Sequence, residues 1–120
     1  MKAAVHDEPV IAQDGAMRKQ VAAFDGLNDA LAYPLGDQYQ NLSQGMTLEC
    51  VFRYDGDTAA TGEKNLCSNK EAGGFSMSLV GDTLSFMLHT GAYRSATATI
   101  DSGRWYHAAG VFDGKQIKLY

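Results

Sequence analysis

The segment FSMSLVGDTLSFMLH, residues 75–89, constrains the fold more than any other part of the chain. Apolar and polar residues alternate on both sides of Gly81-Asp82, a dipeptide typical of two-residue hairpin turns in which glycine adopts a positive φ. Folding the segment about this turn pairs three sets of apolar residues, Phe75 with Leu88, Met77 with Phe86 and Leu79 with Leu84. The serines and Thr83 then lie on the other face. The sequence therefore predicts a β-hairpin with one buried face.

Shorter segments with the same alternation run through the rest of the chain, separated by glycine-bearing turns. In residues 46–54, every second residue is apolar or aromatic, and alternation places these residues on one face of a strand: Met46, Leu48, Cys50, Phe52 and Tyr54. Further strands are predicted at 21–24, 30–33, 64–69, 95–100 and 105–112, and a last one begins at 117. No segment shows the roughly 3.6-residue apolar spacing of a helix over about a dozen residues. The pattern predicts an all-β sandwich or barrel.

Composition and charge argue against several classes of protein. The 120 residues are 45% hydrophobic and 20% charged, which is enough apolar material for the core of one domain or most of one. The net charge of −4 argues against nucleic acid as a partner, because phosphate binding needs a basic surface. No apolar run approaches the roughly 18 residues of a membrane-spanning helix, so no membrane span is expected.

Cys50 and Cys67 are the two cysteines of the chain, and they are predicted to lie on successive strands. If the polar connection 55–63 is a hairpin loop centred between Thr58 and Ala59, the cysteines face each other closely enough for a disulfide. Such a bond would stabilise the fold by about 3 kcal/mol and would indicate an exported protein. The alternative is a pair of buried thiols that act as small apolar residues.

Four segments carry a family pattern, AAFDGLNDAL at 22–31, MTLECVFRY at 46–54, GGFSMSL at 73–79 and RWYHAAGVFDGKQIKLY at 104–120. They are similar to the laminin-G-like, concanavalin-A-like jelly rolls, whose members show "FDG…D", "fTlEaWv", "gg-f-l-l" and "g-W-hHvAgvydG-k-l-lYvdG" in this order. The resemblance covers about residues 20–120 and implies an antiparallel two-sheet β-sandwich. Residues 62–89 also resemble laminin-G-like modules attached to bacterial calcineurin-like phosphoesterases.

The family pattern continues beyond the tyrosine that matches Tyr120, with a glycine turn and several more strands. The resemblance therefore implies that residues 20–120 are the N-terminal two-thirds of a laminin-G-like jelly roll, preceded by an irregular segment or first strand at 1–19. Sheets with unpaired edges recruit further strands. The expected partner is accordingly another chain or fragment that completes the sheets, or a second copy of this chain.

The resemblance implies a non-catalytic binding module for carbohydrate or cell-surface glycan, within a larger bacterial protein that is secreted or displayed on the cell surface. One alternative is a structural or interaction domain that packs against a catalytic domain such as a metallophosphoesterase. Another is a glycoside hydrolase of the same fold, which is disfavoured. Such hydrolases carry E-x-D-x-x-E on one strand, whereas TLECVFRY holds Glu49 alone, without the second carboxylate that the mechanism needs.

Aromatic and basic residues in predicted loops are the candidate ligand contacts, because loops on a rigid sandwich carry recognition. These residues are Tyr33, Tyr39, Tyr93 and Arg94. The Trp105 ring suits sugar stacking, but its position at the start of an alternating strand predicts a core residue. The three histidines are far apart in the sequence, and no catalytic residue is predicted.

The turn Asp25-Gly26-Leu27-Asn28-Asp29 groups hard oxygen ligands of the kind that calcium prefers. Related modules place a structural calcium ion near this turn. The resemblance therefore implies calcium as a structural cofactor, held by Asp25, Asn28 and Asp29. The alternative is a turn that side-chain hydrogen bonds to its own backbone hold in shape.

Overall fold

The alternating segments that the structure describes form β-strands. The protein is represented by a computed structural model that describes residues 4–6, 10–33, 42–69 and 74–120. Within these ranges the chain forms eleven strands, all of their pairings are antiparallel, and no helix is present. The predicted all-β antiparallel fold is confirmed. The described residues accordingly include no helix that could cross a membrane. The strands fall into two compact units, Met1–Gly36 and Asp37–Tyr120.

The first unit contains four short strands, β1 (Ala4–His6), β2 (Val10–Asp14), β3 (Lys19–Ala23) and β4 (Ala30–Ala32). β2 and β3 form a hairpin, and β1 pairs with β4. In the hairpin turn the Met17 N–H donates to Asp14 Oδ1 at 2.8 Å. The sequence predicts at most one short strand before residue 20, near Val10. The structure has two, because backbone pairing with a later strand does not require apolar alternation.

The second unit contains seven strands, β5 (Met46–Arg53), β6 (Glu63–Asn69), β7 (Phe75–Val80), β8 (Thr83–His89), β9 (Tyr93–Thr99), β10 (Trp105–Phe112) and β11 (Ile117–Leu119). They form a four-stranded sheet in the order β6-β7-β8-β9 and a three-stranded sheet in the order β11-β10-β5. The strands predicted in this part of the chain are confirmed, with ends that shift by up to two residues.

The hairpin of β7 and β8 has the register that the sequence predicts. Its apolar residues pair as expected, Phe75 with Leu88, Met77 with Phe86 and Leu79 with Leu84. All six are buried. Gly81 has a φ of 59°, the left-handed conformation that the tight turn requires. The hairpin is therefore the centre of the four-stranded sheet, and its inner face is core.

The core lies between the two sheets. Phe52 and Ala108 of the three-stranded sheet pack in one cluster with residues of the four-stranded sheet, Met77, Leu79, Leu84 and Phe86. A second cluster combines Phe112 of β10 with Leu42, Phe75 and Leu88. Because both clusters draw side chains from both sheets, the second unit is a two-layer sandwich. The predicted inner face of β5 is confirmed, since its other members border the first cluster, Met46, Leu48, Cys50 and Tyr54.

Phe86 lies directly against the backbone of Gly110 on β10. The Phe86 side chain is fully buried, and a Cβ atom built on Gly110 would lie 2.3 Å from its Cγ. Such a contact is far closer than two carbon atoms tolerate, so a side chain at position 110 would force the ring or the strand to move. The glycine therefore allows a large ring to fill the space between the sheets.

The turn between β10 and β11 is held by the Asp113 side chain. Its Oδ1 accepts backbone hydrogen bonds from Gln116 at 2.7 Å and Lys115 at 2.8 Å, and these bonds lower the pKa of the Asp113 carboxyl. Because the folded-state pKa is depressed, the stabilisation is present above the ordinary pKa of aspartate and is lost as the pH falls through the lowered value. The turn predicted at 113–116 is confirmed.

We expect Gly110→Ala to destabilise the fold by about 1–3 kcal/mol, because overpacking a tight core displaces side chains or backbone. Chemical denaturation followed by tryptophan fluorescence measures the loss. Gly62→Ala is the matched control, since no atom lies within 4 Å of a Cβ built there. In a double-mutant cycle with Phe86→Leu the losses should be less than additive, and strict additivity would contradict the contact.

Candidate functional site

The four-stranded sheet has one face that points away from the core and is lined by small hydroxyl residues. Strand residues alternate between faces, so the neighbours of the buried apolar residues project to this side. They include Ser76, Ser78, Ser85, Ser95, Thr97 and Thr99, and we call this surface the hydroxyl face. The sequence predicts a polar face for this hairpin, and that prediction is confirmed.

The serine and threonine hydroxyls of the hydroxyl face carry no charge, and the register places one acidic residue, the exposed Glu63 of β6, at the far edge of the same side. Its β9 residues Ser95, Thr97 and Thr99 are exposed, whereas Ser76 and Ser78 of the central strand are 0% and 2% exposed. The Ser76 hydroxyl has no hydrogen-bond partner among the described residues. Buried polar groups in this state are usually satisfied by ordered water or by a ligand. Because a hydroxyl both donates and accepts, the exposed hydroxyls of β9 can match sugar hydroxyls in either role, whereas Ser76 and Ser78 are covered.

Tyr93 and His89 form an aromatic pair at one end of the hydroxyl face. They are opposite each other on β9 and β8, and their ring centroids are 4.6 Å apart at an interplanar angle of 66°. The Tyr93 side chain is 65% exposed. An edge-to-face contact of this kind orients the tyrosine ring while leaving most of its surface free. Sequence reasoning missed His89; the signal was its position on the polar side of the alternating strand.

The other predicted ligand residues do not join Tyr93 on this face. Arg94, the next residue along β9, is exposed but pairs with Leu88 and so lies on the opposite side of the strand. Tyr33 is exposed at the end of β4 in the first unit. Tyr39 lies outside the described residues. Of the four candidates, the structure assigns one to the hydroxyl face.

The outer face of the three-stranded sheet carries Trp105. Its ring lies under the guanidinium of Arg53, 5.5 Å from the ring centroid, and Asp55 holds that guanidinium through contacts of 2.9 Å to Nε and Nη2. The predicted core position of Trp105 is wrong. The next residue, Tyr106, turns inward and stacks on Phe52, so Trp105 belongs to the outer set.

Glu49 and His107 form a second pair on this outer face. His107 Nε2 and Glu49 Oε2 are 3.3 Å apart, and both side chains are largely exposed. An exposed pair of this kind contributes little to stability. A glycosidase pair requires two carboxyl groups across the scissile bond. The partner of Glu49 in this pair is the imidazole of His107, so the pair does not supply the two carboxyl groups of a glycosidase.

The turn at residues 25–29 is closed by its own carboxylates. Asp29 Oδ2 accepts the backbone N–H of Asp25 at 2.9 Å, and Asp25 Oδ1 accepts that of Leu27 at 2.8 Å. Calcium takes six to eight oxygen ligands. Asp25, Asn28 and Asp29 offer at most five side-chain oxygens, so a full shell would also need backbone carbonyls, water or other residues, and no group of three or more histidine, cysteine, aspartate or glutamate side chains that could hold a metal occurs in the described ranges. Calcium binding stays a prediction that melting with and without the ion can test.

The two cysteines lie in different sheets. Cys50 on β5 pairs with Ala108, and Cys67 on β6 pairs with Met77. The predicted hairpin of their two strands is therefore wrong, because β5 pairs along its whole length with β10 and the connection 54–62 leads to the other sheet. Both thiols are free. The predicted Cys50–Cys67 disulfide consequently has no support from the structure.

The thiols have the properties of partly buried, protonated groups. Burial, and secondly the negative charge of Cys67, raise the pKa of Cys50 to about 11. Burial also raises the pKa of Cys67. The Cys50 thiol donates to Met77 Sδ at a sulfur–sulfur distance of 3.2 Å. At neutral pH both sulfurs are therefore thiols, but the alternative of two buried thiols is met only in part, because Cys50 is half-buried and Cys67 is exposed.

The two-layer antiparallel sandwich, with a polar outer face on its larger sheet, is the architecture of lectin-like β-sandwich domains. Residues 25–120 match the family model of the concanavalin A-like lectin/glucanases superfamily, and the chain belongs to that superfamily. The resemblance identified from the sequence motifs is confirmed. No curated protein and no solved structure gives a significant match.

We expect iodoacetamide to alkylate Cys67 well before Cys50 in the folded chain. Cys67 is exposed, whereas Cys50 is half-buried with a pKa of about 11, and the thiolate is the reactive species. At pH values below this pKa, the rate of Cys50 alkylation should rise about tenfold for each unit by which the pH is raised. Peptide mass spectrometry at fixed times measures both rates. Urea-unfolded chain is the control, in which the rates should converge; equal rates in the folded chain would contradict the burial of Cys50.

Proposed function

We propose that the chain is a non-catalytic binding module that recognises a neutral carbohydrate on the hydroxyl face, as part of a larger exported bacterial protein. The observation that carries the proposal is the exposed Tyr93 ring at the end of a row of uncharged hydroxyl groups. Membership of the concanavalin A-like lectin/glucanases superfamily supports it, because that superfamily contains sugar-binding proteins by its description.

Tyr93 is suited to contact the apolar side of a sugar ring. The C–H groups of a pyranose pack against an aromatic surface, and the 65% exposed ring has the free area for that contact. His89 restrains the ring from one side, so less side-chain entropy is lost when a ligand orders it. The aromatic pair would therefore position the sugar at this end of the sheet.

Ser95 and Thr97 extend from Tyr93 along the same exposed face of β9. Residues two apart on a strand are about 6.5–7 Å apart, so successive hydroxyls can contact different groups of one oligosaccharide. Hydrogen bonds between neutral groups give specificity at a modest net free energy. We infer that the ligand is an extended neutral glycan rather than a charged one.

We expect Tyr93→Ala to raise the Kd for a neutral oligosaccharide by about tenfold, the equivalent of one aromatic contact. A neutral-glycan array selects the ligand, and isothermal titration calorimetry measures the Kd. Arg94→Ala is the matched control, because the adjacent side chain lies on the opposite face and its loss should leave the Kd unchanged. Thr97→Val, which removes a hydroxyl at constant volume, should weaken binding without altering the fold.

Two results would contradict the proposal. The first is equal loss of binding in Tyr93→Ala and Arg94→Ala, which would mean that the ligand does not use the hydroxyl face. The second is an absence of binding to any neutral glycan by a chain whose circular dichroism spectrum shows intact β-structure.

The second candidate function is that of an interaction domain packed against another polypeptide. The observation that favours it is the open edge of β5, which among the described residues pairs only with β10. Val51 on the outer face of this strand is also 53% exposed. An edge strand of eight residues is long enough to accept a further strand. Light scattering tests the case in which that polypeptide is a second copy, because a chain that completes its sheets in this way forms a stable dimer without any glycan.

A further inference from the structure

Two sulfur-bearing side chains, those of Cys50 and Met77, meet between the two sheets of the second unit, and a third, that of Cys67, is exposed on the neighbouring edge strand. Cys50 lies on the inner face of β5, and its thiol contacts Met77 Sδ at 3.2 Å. Cys67 lies directly opposite Met77 on the neighbouring strand, β6. Met77 therefore contacts Cys50 of the opposite sheet and is the strand partner of Cys67 in its own sheet. The chain has no other cysteine, so its entire thiol content is collected at this point.

We propose that Cys50, Cys67 and Met77 form a binding site for one soft monovalent metal ion, Cu(I) or Ag(I). Two thiolates and a thioether are the soft donors that favour Cu(I) over hard cations. Zinc is a poorer match, because structural zinc takes four nitrogen, sulfur or oxygen ligands and no third cysteine, histidine or carboxylate joins the described cluster.

The surroundings of the three residues provide both a fixed ligand and a route of entry. Met77 is 0% exposed and is held by the core, so its sulfur has a defined position. Cys50 is half-buried, and Cys67 is exposed on an edge strand of its sheet. The register of β6 and β7 shifts between Asn65 and Cys67, which frees that part of the edge from strict pairing. An ion can therefore reach Cys67 first and then the inner sulfurs.

The binding step balances without any oxidant or reductant. One monovalent ion replaces the protons of two thiols, the protons leave to water, and the neutral thioether donates a lone pair. The product is a complex with a net charge of −1 on the two thiolates and the ion. The ion takes over the place of the hydrogen bond between Cys50 and Met77 and links the two sheets through sulfur.

The test is an anaerobic titration of the full chain with Cu(I) in competition with a chromophoric Cu(I) chelator. We expect one ion per chain, with ultraviolet thiolate-to-metal charge-transfer absorption. Cys50→Ser and Cys67→Ser should each abolish tight binding. Met77→Leu should raise the Kd by at least the roughly 10- to 100-fold that loss of an outer-shell partner costs a metal site.

Met77→Leu conserves side-chain volume and is expected to fold. Met87→Leu is its matched control, because Met87 lies on the outer face of the same hairpin and should leave the Kd unchanged. Circular dichroism of each variant separates lost ligands from lost structure. Because Cys67 is exposed, we expect Cys67→Ser to leave the core intact, so that a loss of binding in this variant reports the loss of a ligand.

Three outcomes would overturn the proposal. One is an unchanged Kd in Met77→Leu, which would remove the thioether from the site. Another is an ion held between two chains, which light scattering would detect as a metal-dependent dimer. The last is an intramolecular disulfide that forms in preference to metal binding, seen as the loss of two hydrogen atoms from the intact mass, which would make the pair a redox cross-link between the sheets.

Discussion

The contact of Phe86 with the Gly110 backbone is the constraint on which the second unit depends. The ring is fully buried, and a Cβ at position 110 would lie 2.3 Å from its Cγ. Position 110 therefore has to be free of a side chain for this ring to lie between the sheets. Once the ring fixes which side of β8 and β10 is inner, strict alternation assigns every other residue of these strands to the core or to an outer face.

The parts of the fold that were predictable depend on local pattern. The β7–β8 register follows from the turn at Gly81 and from the alternation of apolar and polar residues on both sides of it. The inner face of β5 follows from the same alternation within β5 itself. The pairing of β5 with β10 was not predictable in the same way. Some fifty residues separate these strands, and no local signal distinguishes β10 from β6 as the neighbour of β5. The error over Cys50 and Cys67 has this origin.

Alternation also shows which residues share a face without showing which face is inside. The sequence predicts a core position for Trp105, whereas the smaller Ala108 and Gly110 of the same strand face the core. The candidate site has the same dependence on register. Residue type predicts Tyr93 as a ligand contact, but its separation from Arg94 and its contact with His89 follow from cross-strand pairing. Residue type alone therefore could not assemble the site.

The two outer faces differ in what a ligand must displace. On the three-stranded sheet, the charges of Arg53 and of Glu49 already have partners, Asp55 and His107 respectively. A neutral sugar bound there would desolvate these charges without replacing their attraction, which costs free energy. On the hydroxyl face a sugar exchanges water for hydroxyl groups of similar strength, and its apolar side gains the Tyr93 ring. The balance of desolvation therefore favours the hydroxyl face for a neutral glycan, even though the larger aromatic residue, Trp105, lies on the other.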